Sequence, residues 1–388
     1  MTVQLFDPAV HEAVIDAPWD PARIRTSIRA IVDDAEDTFA DGWPTHPVDS
    51  ESPADDARRF RSVYLGGAGV IQALDALQRR GLAELHRDYV PYLEQPFDSD
   101  FREDDDERSL WMGDTGIRLV LQRLAPSAEN ADRLETLIRA NIEDERCELM
   151  WGSPGTMLAA GALHELSGEA RWQELWEECA AWLRAQWDPE MELWTQHIWE
   201  RVEHIVGPAH GFAGCVLALA RHPDDELHQR AAMGTRRYVV EQDGLANWLP
   251  SADMETLQNP RGETRVQWCH GAPGMVASLA GLVPGDDEHE RLMVAGGELT
   301  WHAGPLTKGA NLCHGTGGNG YAFLALFART GDELWLERAR AFAMHAIAQV
   351  ERERAALGRG RYTLWTGDPG TALYLADCLD GSLNVPFV

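Results

Sequence analysis

The chain has 388 residues, 44% of them hydrophobic, which is enough to build a large buried core. Its formal charge is −29, and Lys308 is the only lysine beside 33 arginines. Nucleic acids and anionic membrane surfaces are therefore excluded as partners, because both repel a surface of this sign. No long apolar run and no basic leader are present, and the six cysteines form no disulfide framework, so we expect a cytoplasmic protein without a membrane span.

The first 57 residues differ from the rest of the chain. They are rich in Asp and Pro and lack the glycine pattern that follows. A helical pattern of apolar residues from Pro21 to Phe39 predicts one outer helix. We therefore interpret residues 1–57 as an N-terminal extension that includes the first outer helix.

From Tyr64 onward one pattern occurs seven times. An apolar or aromatic approach leads into Gly-x-x-Gly, which is followed by a helix-forming apolar stretch. Intervals of roughly 40 to 60 residues between copies are typical of a repeat architecture. Each copy by itself indicates only the start of a buried helix. The first glycines of the seven copies are Gly66, Gly113, Gly152, Gly211, Gly271, Gly315 and Gly367.

Two kinds of helix alternate along these repeats. Amphipathic patterns such as Ala131–Glu145, Ala170–Gln186 and Glu333–Leu357 predict outer helices, and the apolar stretches after the glycines predict inner helices. The alternation predicts an all-α fold, an (α/α) toroid of seven helical hairpins in residues 58–388, within one domain of residues 1–388. Only Val202–Val206 and Arg361–Leu364 have the pattern of short strands.

Four of the seven copies carry reactive side chains next to their glycines. If all inner helices start around one opening, these side chains converge there. Thiolate and imidazole are preferred zinc ligands, and three protein ligands leave a fourth position open for substrate. The cysteines are too far apart for a zinc finger, and helix N-termini favour thiolate over thiol. The residues are Glu148, His210, the tripeptide Cys269-His270-Gly271 and the tripeptide Cys313-His314-Gly315.

The motifs HGFAG, WCHGAPG, CHGTGGNGYAFL and WTGDPG resemble those of the lanthionine synthetase C-like proteins, and are more similar to the stand-alone eukaryotic-type members than to lantibiotic cyclases. The resemblance spans roughly Tyr64 to Leu375. It implies a seven-fold toroid with one catalytic Zn²⁺ per chain, held by Cys269, Cys313 and His314. The implied activity is the addition of a thiol to dehydroalanine or dehydrobutyrine, which forms a thioether.

The resemblance also implies roles for four further residues. His210 matches the histidine of the family's A-H-G motif and is expected to be a general acid or base. Arg265 is expected to stabilise an enolate or the substrate carbonyl. Glu148 replaces an aspartate of the cyclases and is expected to orient His210. His270 stands where classical cyclases have tyrosine, and its catalytic role is open.

Simpler structural roles compete with these assignments. Glu148 is suited to balance a helix dipole, His210 to hydrogen-bond a neighbouring helix start, and Arg265 to be a solvated loop charge. We interpret the remaining cysteines, Cys147, Cys179, Cys215 and Cys378, as core residues.

The expected partners are a dehydrated peptide or protein and a thiol, either a peptide cysteine or a small molecule. A separate dehydratase or kinase-lyase is expected to prepare the substrate. Two other hypotheses remain open. A glycan-active enzyme on the same fold needs paired carboxylates, for which Asp114 and Asp368 are available beside Glu148. A non-catalytic zinc-bearing scaffold that binds peptides would keep the ligands but would not need His210 or Arg265.

Overall fold

The computed structural model describes residues 4–50, 58–98, 100, 107–252 and 264–387. Residues 1–3 and 51–57 of the predicted N-terminal extension lie outside the described residues. None of the described helices has the length and apolar character to cross a bilayer. The described helices are α1 (Pro21–Thr38), α2 (Gly67–Arg79), α3 (Val90–Leu93), α4 (Asp114–Leu124), α5 (Ala128–Ala140), α6 (Ser153–Ser167), α7 (Ala170–Ala185), α8 (Phe212–Leu219), α9 (Asp225–Arg237), α10 (Ala272–Leu279), α11 (Asp287–Ala303), α12 (Thr316–Thr330), α13 (Glu333–Leu357) and α14 (Asp368–Asp380).

Seven inner helices form a closed ring. The N-cap residues of α2, α4, α6, α8, α10, α12 and α14 are the seven glycines that the sequence pattern singles out. Each inner helix contacts the next one along the chain, and α14 contacts α2. The prediction of an all-α toroid with seven inner helices is confirmed.

The outer helices surround this ring, with one exception. α7 and α13 occupy almost the predicted residues, whereas α5 lies a few residues earlier than predicted because the Ser127 side chain caps the N–H of Asn130. α1 packs against α13 and α14. Between α2 and α4 the described residues contain only the four-residue α3, so the prediction of a full outer helix in every repeat was wrong at this place.

Within the described ranges, three short antiparallel hairpins interrupt the helices. They are β1 (Trp187–Asp188) with β2 (Leu193–Trp194), β3 (Gln196–Ile198) with β4 (Arg201–Glu203), and β5 (Val239–Gln242) with β6 (Leu245–Trp248). The predicted strand Val202–Val206 is in part correct, since β4 begins one residue earlier and ends at Glu203. The prediction of a strand at Arg361–Leu364 was wrong. The carbonyl of Arg361 instead accepts a hydrogen bond from the N–H of Asp368 at the start of α14.

The hairpin of β5 and β6 had a signal in the sequence that our prediction missed. Asp243 and Gly244 form its turn with φ of 53° and 81°. Asp-Gly between two extended segments is typical of the type I′ turn, which needs positive φ at both positions.

Aromatic side chains fill the centre of the ring. Trp111, Trp268 and Trp365 are at most 1% exposed, and Trp365 lies with ring centroids 4.5 Å from Trp111 and 4.6 Å from Trp268. Phe387, beyond α14, packs against Trp268 and Trp365 at 5.9 and 6.1 Å. The Trp111 indole donates a hydrogen bond to the Phe387 carbonyl. These residues form a solid floor beneath the starts of the inner helices.

Candidate functional site

One register position, two residues before each inner-helix glycine, organises the site. In five of these residues, the backbone N–H of one donates to the backbone carbonyl of the next. The donor–acceptor pairs are Cys269 to Cys313 (3.0 Å), Cys313 to Trp365 (2.9 Å), Trp365 to Tyr64 (3.4 Å) and Tyr64 to Trp111 (2.9 Å). The two cysteines occupy this position in adjacent repeats, so their side chains come together. The seven residues are Tyr64, Trp111, Met150, Ala209, Cys269, Cys313 and Trp365.

The thiols of Cys269 and Cys313 form a buried pair. A hydrogen bond from Cys313 lowers the pKa of Cys269 to about 7 against the effect of burial, and the charges of His210 and Arg265 act in the same direction. The same bond, together with burial, raises the pKa of Cys313 well above its usual range. One proton is therefore shared, and near neutral pH Cys269 has thiolate character.

Two further side chains, which the sequence analysis did not single out, donate to this pair. The Tyr64 hydroxyl donates to Cys313 Sγ at 3.0 Å, and Gln267 Nε2 donates to Cys269 Sγ at 3.0 Å. Lys308 Nζ lies 3.5 Å from the Gln267 side-chain oxygen. Burial raises the pKa of Tyr64, so its hydroxyl stays protonated as a donor. The repeat register was a usable signal for Tyr64, because it holds the same position as the two cysteines.

His210 and Glu148 lie next to each other, as the sequence analysis expected. His210 Nδ1 is 2.9 Å from Glu148 Oε2. Glu148 is fully buried, and its carboxylate also accepts the backbone N–H groups of Met150 (2.8 Å), Trp151 (2.6 Å) and Gly152 (3.0 Å) before α6. The same carboxylate thus accepts hydrogen bonds from a helix start and contacts an imidazole.

Two tryptophans border the His210 ring. Trp151 stacks on it with centroids 5.4 Å apart and an interplanar angle of 22°, and Trp199 contacts it edge-on at 5.4 Å. Trp199 is 53% exposed at the tip of the β3–β4 hairpin. It and Glu200 have φ of 53° and 57°, a left-handed conformation that is costly for residues other than glycine. This turn contains no glycine, and the sequence offered no signal for it.

His270 and Arg265 belong to the loop before α10, and His270 lies near His210. The His270 ring centroid is 6.5 Å from that of His210, and burial lowers the pKa of His270 to about 3, so the ring is neutral at pH 7. Its buried Nδ1 has no hydrogen-bond partner among the described residues. Arg265 is exposed, and its charge contributes to lowering the pKa of both Cys269 and His270.

The loop between Arg265 and α10 requires glycine at position 271. Gly271 has φ of 112°, and a Cβ atom there would lie 1.7 Å from the Arg265 carbonyl oxygen. The backbone of Arg265 therefore touches the turn that presents Cys269 and His270.

The structure brings two of the three predicted metal ligands into contact. His314 directly follows Cys313, its N–H donates to Asn311 Oδ1, and burial lowers its pKa to about 4, which keeps the ring neutral at pH 7. Over the described ranges, no group of three or more His, Cys, Asp or Glu side chains has the arrangement of a metal site. The chemistry of the donors, a thiol pair with thiolate character and a neutral imidazole in the adjoining residue, fits zinc.

Comparisons with known proteins agree with this architecture. A family model described as lanthionine synthetase C-like protein matches residues 61–388. "LanC-like protein GCL1" from Arabidopsis thaliana is 36% identical over 144 residues, 36% of this chain and 32% of that protein. "Glutathione S-transferase LANCL1" from Danio rerio is 31% identical over 198 residues, 49% of this chain and 45% of that protein. The chain thus matches less than half the length of each of these relatives.

The solved structure of nisin cyclase has the same fold. It superposes with a TM-score of 0.59 at 15% identity, covering 83% of this chain and 89% of nisin cyclase. At this identity the likeness concerns the fold alone. The family model, in contrast, covers most of the chain, including all seven inner helices. The chain belongs to the lanthionine synthetase C-like family.

Proposed function

We propose that this protein adds a thiol to dehydroalanine or dehydrobutyrine residues of a peptide or protein, forming a thioether. The observation that carries the proposal is the buried Cys269–Cys313 pair at the same end of the ring as the His210–Glu148 pair. The name of one relative, a glutathione S-transferase, supports a small thiol as nucleophile, and nisin cyclase shares the fold.

Cys269, Cys313 and His314 are the residues that would hold one zinc ion. When bound, zinc supplies a Lewis acid that keeps an incoming thiol in its thiolate form near neutral pH. The thiolate character of Cys269 and the neutral imidazole of His314 are the protonation states that metal binding needs.

The remaining residues act on the substrate. Attack of a thiolate on the β-carbon moves charge to the carbonyl oxygen, and Cα then takes up a proton. Glu148 accepts the Nδ1–H of His210, which leaves Nε2 as the atom that exchanges a proton with the substrate. Arg265 is exposed, and we assign it to the charge that develops on the carbonyl oxygen. The neutral ring of His270 adds a polar group whose Nδ1 has no partner among the described residues.

We further propose that residues 1–388 form one domain that works in the cytoplasm on substrates dehydrated by a separate enzyme. Closure of the ring between α14 and α2, and the packing of α1 against α13 and α14, support one domain. Trp151 and the exposed Trp199 beside His210 provide an apolar surface on which a peptide can lie.

The alternatives gain no specific support. A glycosidase needs two free carboxylates in the mouth. Asp114 is instead paired with Arg118 at 2.5 Å, and Asp368 with Arg354 at 2.9 Å. A binding scaffold without catalysis leaves the His210–Glu148 pair without a task.

The test combines metal content with product formation. Elemental analysis should find one zinc per wild-type chain and none in a Cys269→Ala, Cys313→Ala double variant. Cys378→Ala, at a fully buried core cysteine, serves as control and should keep the metal. Mass spectrometry of a dehydroalanine peptide incubated with glutathione should show the thioether only with the metal-bearing proteins. A wild-type chain without zinc and without thioether product overturns the proposal.

A further inference from the structure

A cavity opens at the end of the ring opposite the cysteine pair. Its volume is about 640 Å³, the size of a small-molecule site. It lies among the C-terminal ends of α2, α4, α6 and α14 and the segment that follows α14. The 13 residues of α2 separate its two ends by about 20 Å at 1.5 Å per residue, so this cavity is distinct from the candidate site described above.

Most charges around this cavity are neutralised by neighbours. Arg79 pairs with Asp75 at 2.8 Å, and Arg80 pairs with the buried Asp377 at 2.6 Å. Glu165 pairs with an arginine outside the cavity. Of the three arginines that line the cavity, one forms no ion pair with a described residue.

That arginine is Arg123. It lines the cavity, is partly buried, and makes no hydrogen bond or ion pair with any residue that the structure describes. Burial lowers the pKa of Arg123 and the neighbouring charge of Arg79 adds to this. The charges of Asp75 and Glu165 act on this pKa in the opposite direction without cancelling the shift. Arginine does not lose its proton in proteins. Asp75 and Glu165 are each ion-paired with another arginine, so a bound anion can compensate the charge of Arg123 further.

A purely structural role for Arg123 would be to balance the dipole of α4, since it lies in the last turn of that helix. Arg329 offers a direct comparison, because it lies in the last turn of the inner helix α12. Arg329 pairs with Glu290 at 3.1 Å. Arg123 has no such ion pair with a described residue, and it lines the cavity instead.

We propose that this cavity binds a small organic anion, whose carboxylate or phosphate group pairs with Arg123. The two parallel N–H donors of a guanidinium match two oxygens of either group. The Gln72 side chain also lines the cavity and makes no hydrogen bond with a described residue, so its amide is available as a second donor. Ala76, Leu373, Val385 and Pro386 form an apolar wall that suits the organic part of the ligand.

The test is calorimetric titration of the full chain with two probes of matched shape, benzoate and phenyl phosphate. We expect at least one of them to bind at one site per chain, and the probe that binds identifies the anionic group. Arg123→Gln should weaken this binding about tenfold or more. Arg329→Gln, the matched control outside the cavity, should leave it unchanged. The proposal is overturned if neither probe binds, or if Arg123→Gln binds as tightly as the wild type.

Thermal melting in the absence of any anion distinguishes a role of Arg123 in anion binding from a role in balancing the dipole of α4. If Arg123 serves an anion, Arg123→Gln should leave the melting temperature unchanged or raise it. The reason is that the burial of the charge and the repulsion from Arg79 outweigh the attraction of Asp75 and Glu165. A fall as large as that of Arg329→Gln contradicts the proposal. Neither measurement involves zinc or thiol addition, so the outcome is independent of the function proposed above.

Discussion

The hydroxyl group of Tyr64 donates a hydrogen bond to the sulfur of Cys313 across 3.0 Å, although 249 residues separate them along the chain. The contact exists because the ring closes, which places the first inner helix beside the last and brings the residues before each helix into one circle. Tyr64 therefore helps to set the charge distribution of the cysteine pair from the other end of the sequence.

If Cys313 holds zinc as proposed, Tyr64→Phe should weaken zinc binding by about 10- to 100-fold, the usual effect of removing a hydrogen bond to a metal ligand. The fold should persist, since only one hydroxyl is lost. Competition with a chromogenic chelator measures the affinity. Tyr238→Phe is the control, because its hydroxyl bonds to the Met191 carbonyl. Equal affinities in both variants would remove Tyr64 from the site.

His210→Ala and Glu148→Ala should differ in their effects on stability. Loss of His210 should slow turnover by roughly 10²- to 10⁴-fold with little change in the free energy of unfolding. Loss of Glu148 should also destabilise the fold by about 3 kcal/mol or more, because three backbone N–H groups and one imidazole lose their buried acceptor. Urea unfolding measures the free energy of unfolding of each variant, and a turnover assay measures its rate. Matching unfolding free energies for the two variants would contradict this account of Glu148.

Gly271→Ala should destabilise the protein by about 2 kcal/mol or more. The added methyl group would meet the Arg265 carbonyl at 1.7 Å in a left-handed backbone conformation. Gly281→Ala is the control, because a Cβ atom there meets nothing within 4 Å. It should be neutral or stabilising by up to about 1 kcal/mol. Thermal or urea unfolding measures the stability of both variants. An equal loss of stability in the two would contradict the prediction.

The stability that the hydrogen bonds of Glu12 contribute to the fold should be lost in acid. Burial opposes ionisation of Glu12, but hydrogen bonds from His345, Gln349 and Arg352 outweigh it and lower the pKa to about 2. Since the unfolded-state pKa is 4.5, the contribution of Glu12 is complete above that pH and is lost as the pH falls towards 2.

Unfolding in urea at about pH 6 and about pH 3.5 tests this change. Glu12→Gln should reduce the loss of stability between the two pH values, whereas Glu94→Gln, at an exposed position, should leave it as in the wild type. An unaltered pH dependence in Glu12→Gln would show that Glu12 does not contribute.

Local patterns were sufficient for the helical framework. The starts of the seven inner helices follow from glycines that accept close backbone contact, and α13 follows from its amphipathic period, because both depend on residues near in sequence. The prediction failed where few residues carry the signal, as in the short α3 and in the Arg361–Leu364 segment.

The residues of the candidate site also differ in how far the sequence reveals them. Cys269 and Cys313 are recognisable because they occupy the same place in two repeats, and His210 and Glu148 because they stand close before the glycines of two others. Only the tertiary structure shows that Tyr64 and Gln267 donate to the sulfurs and that Trp199 borders His210. It also shows that Arg123 lines a cavity and forms no ion pair with a described residue. The reason is physical, since hydrogen bonds and ring contacts depend on which surfaces meet when the ring closes, and no spacing along the chain encodes that meeting.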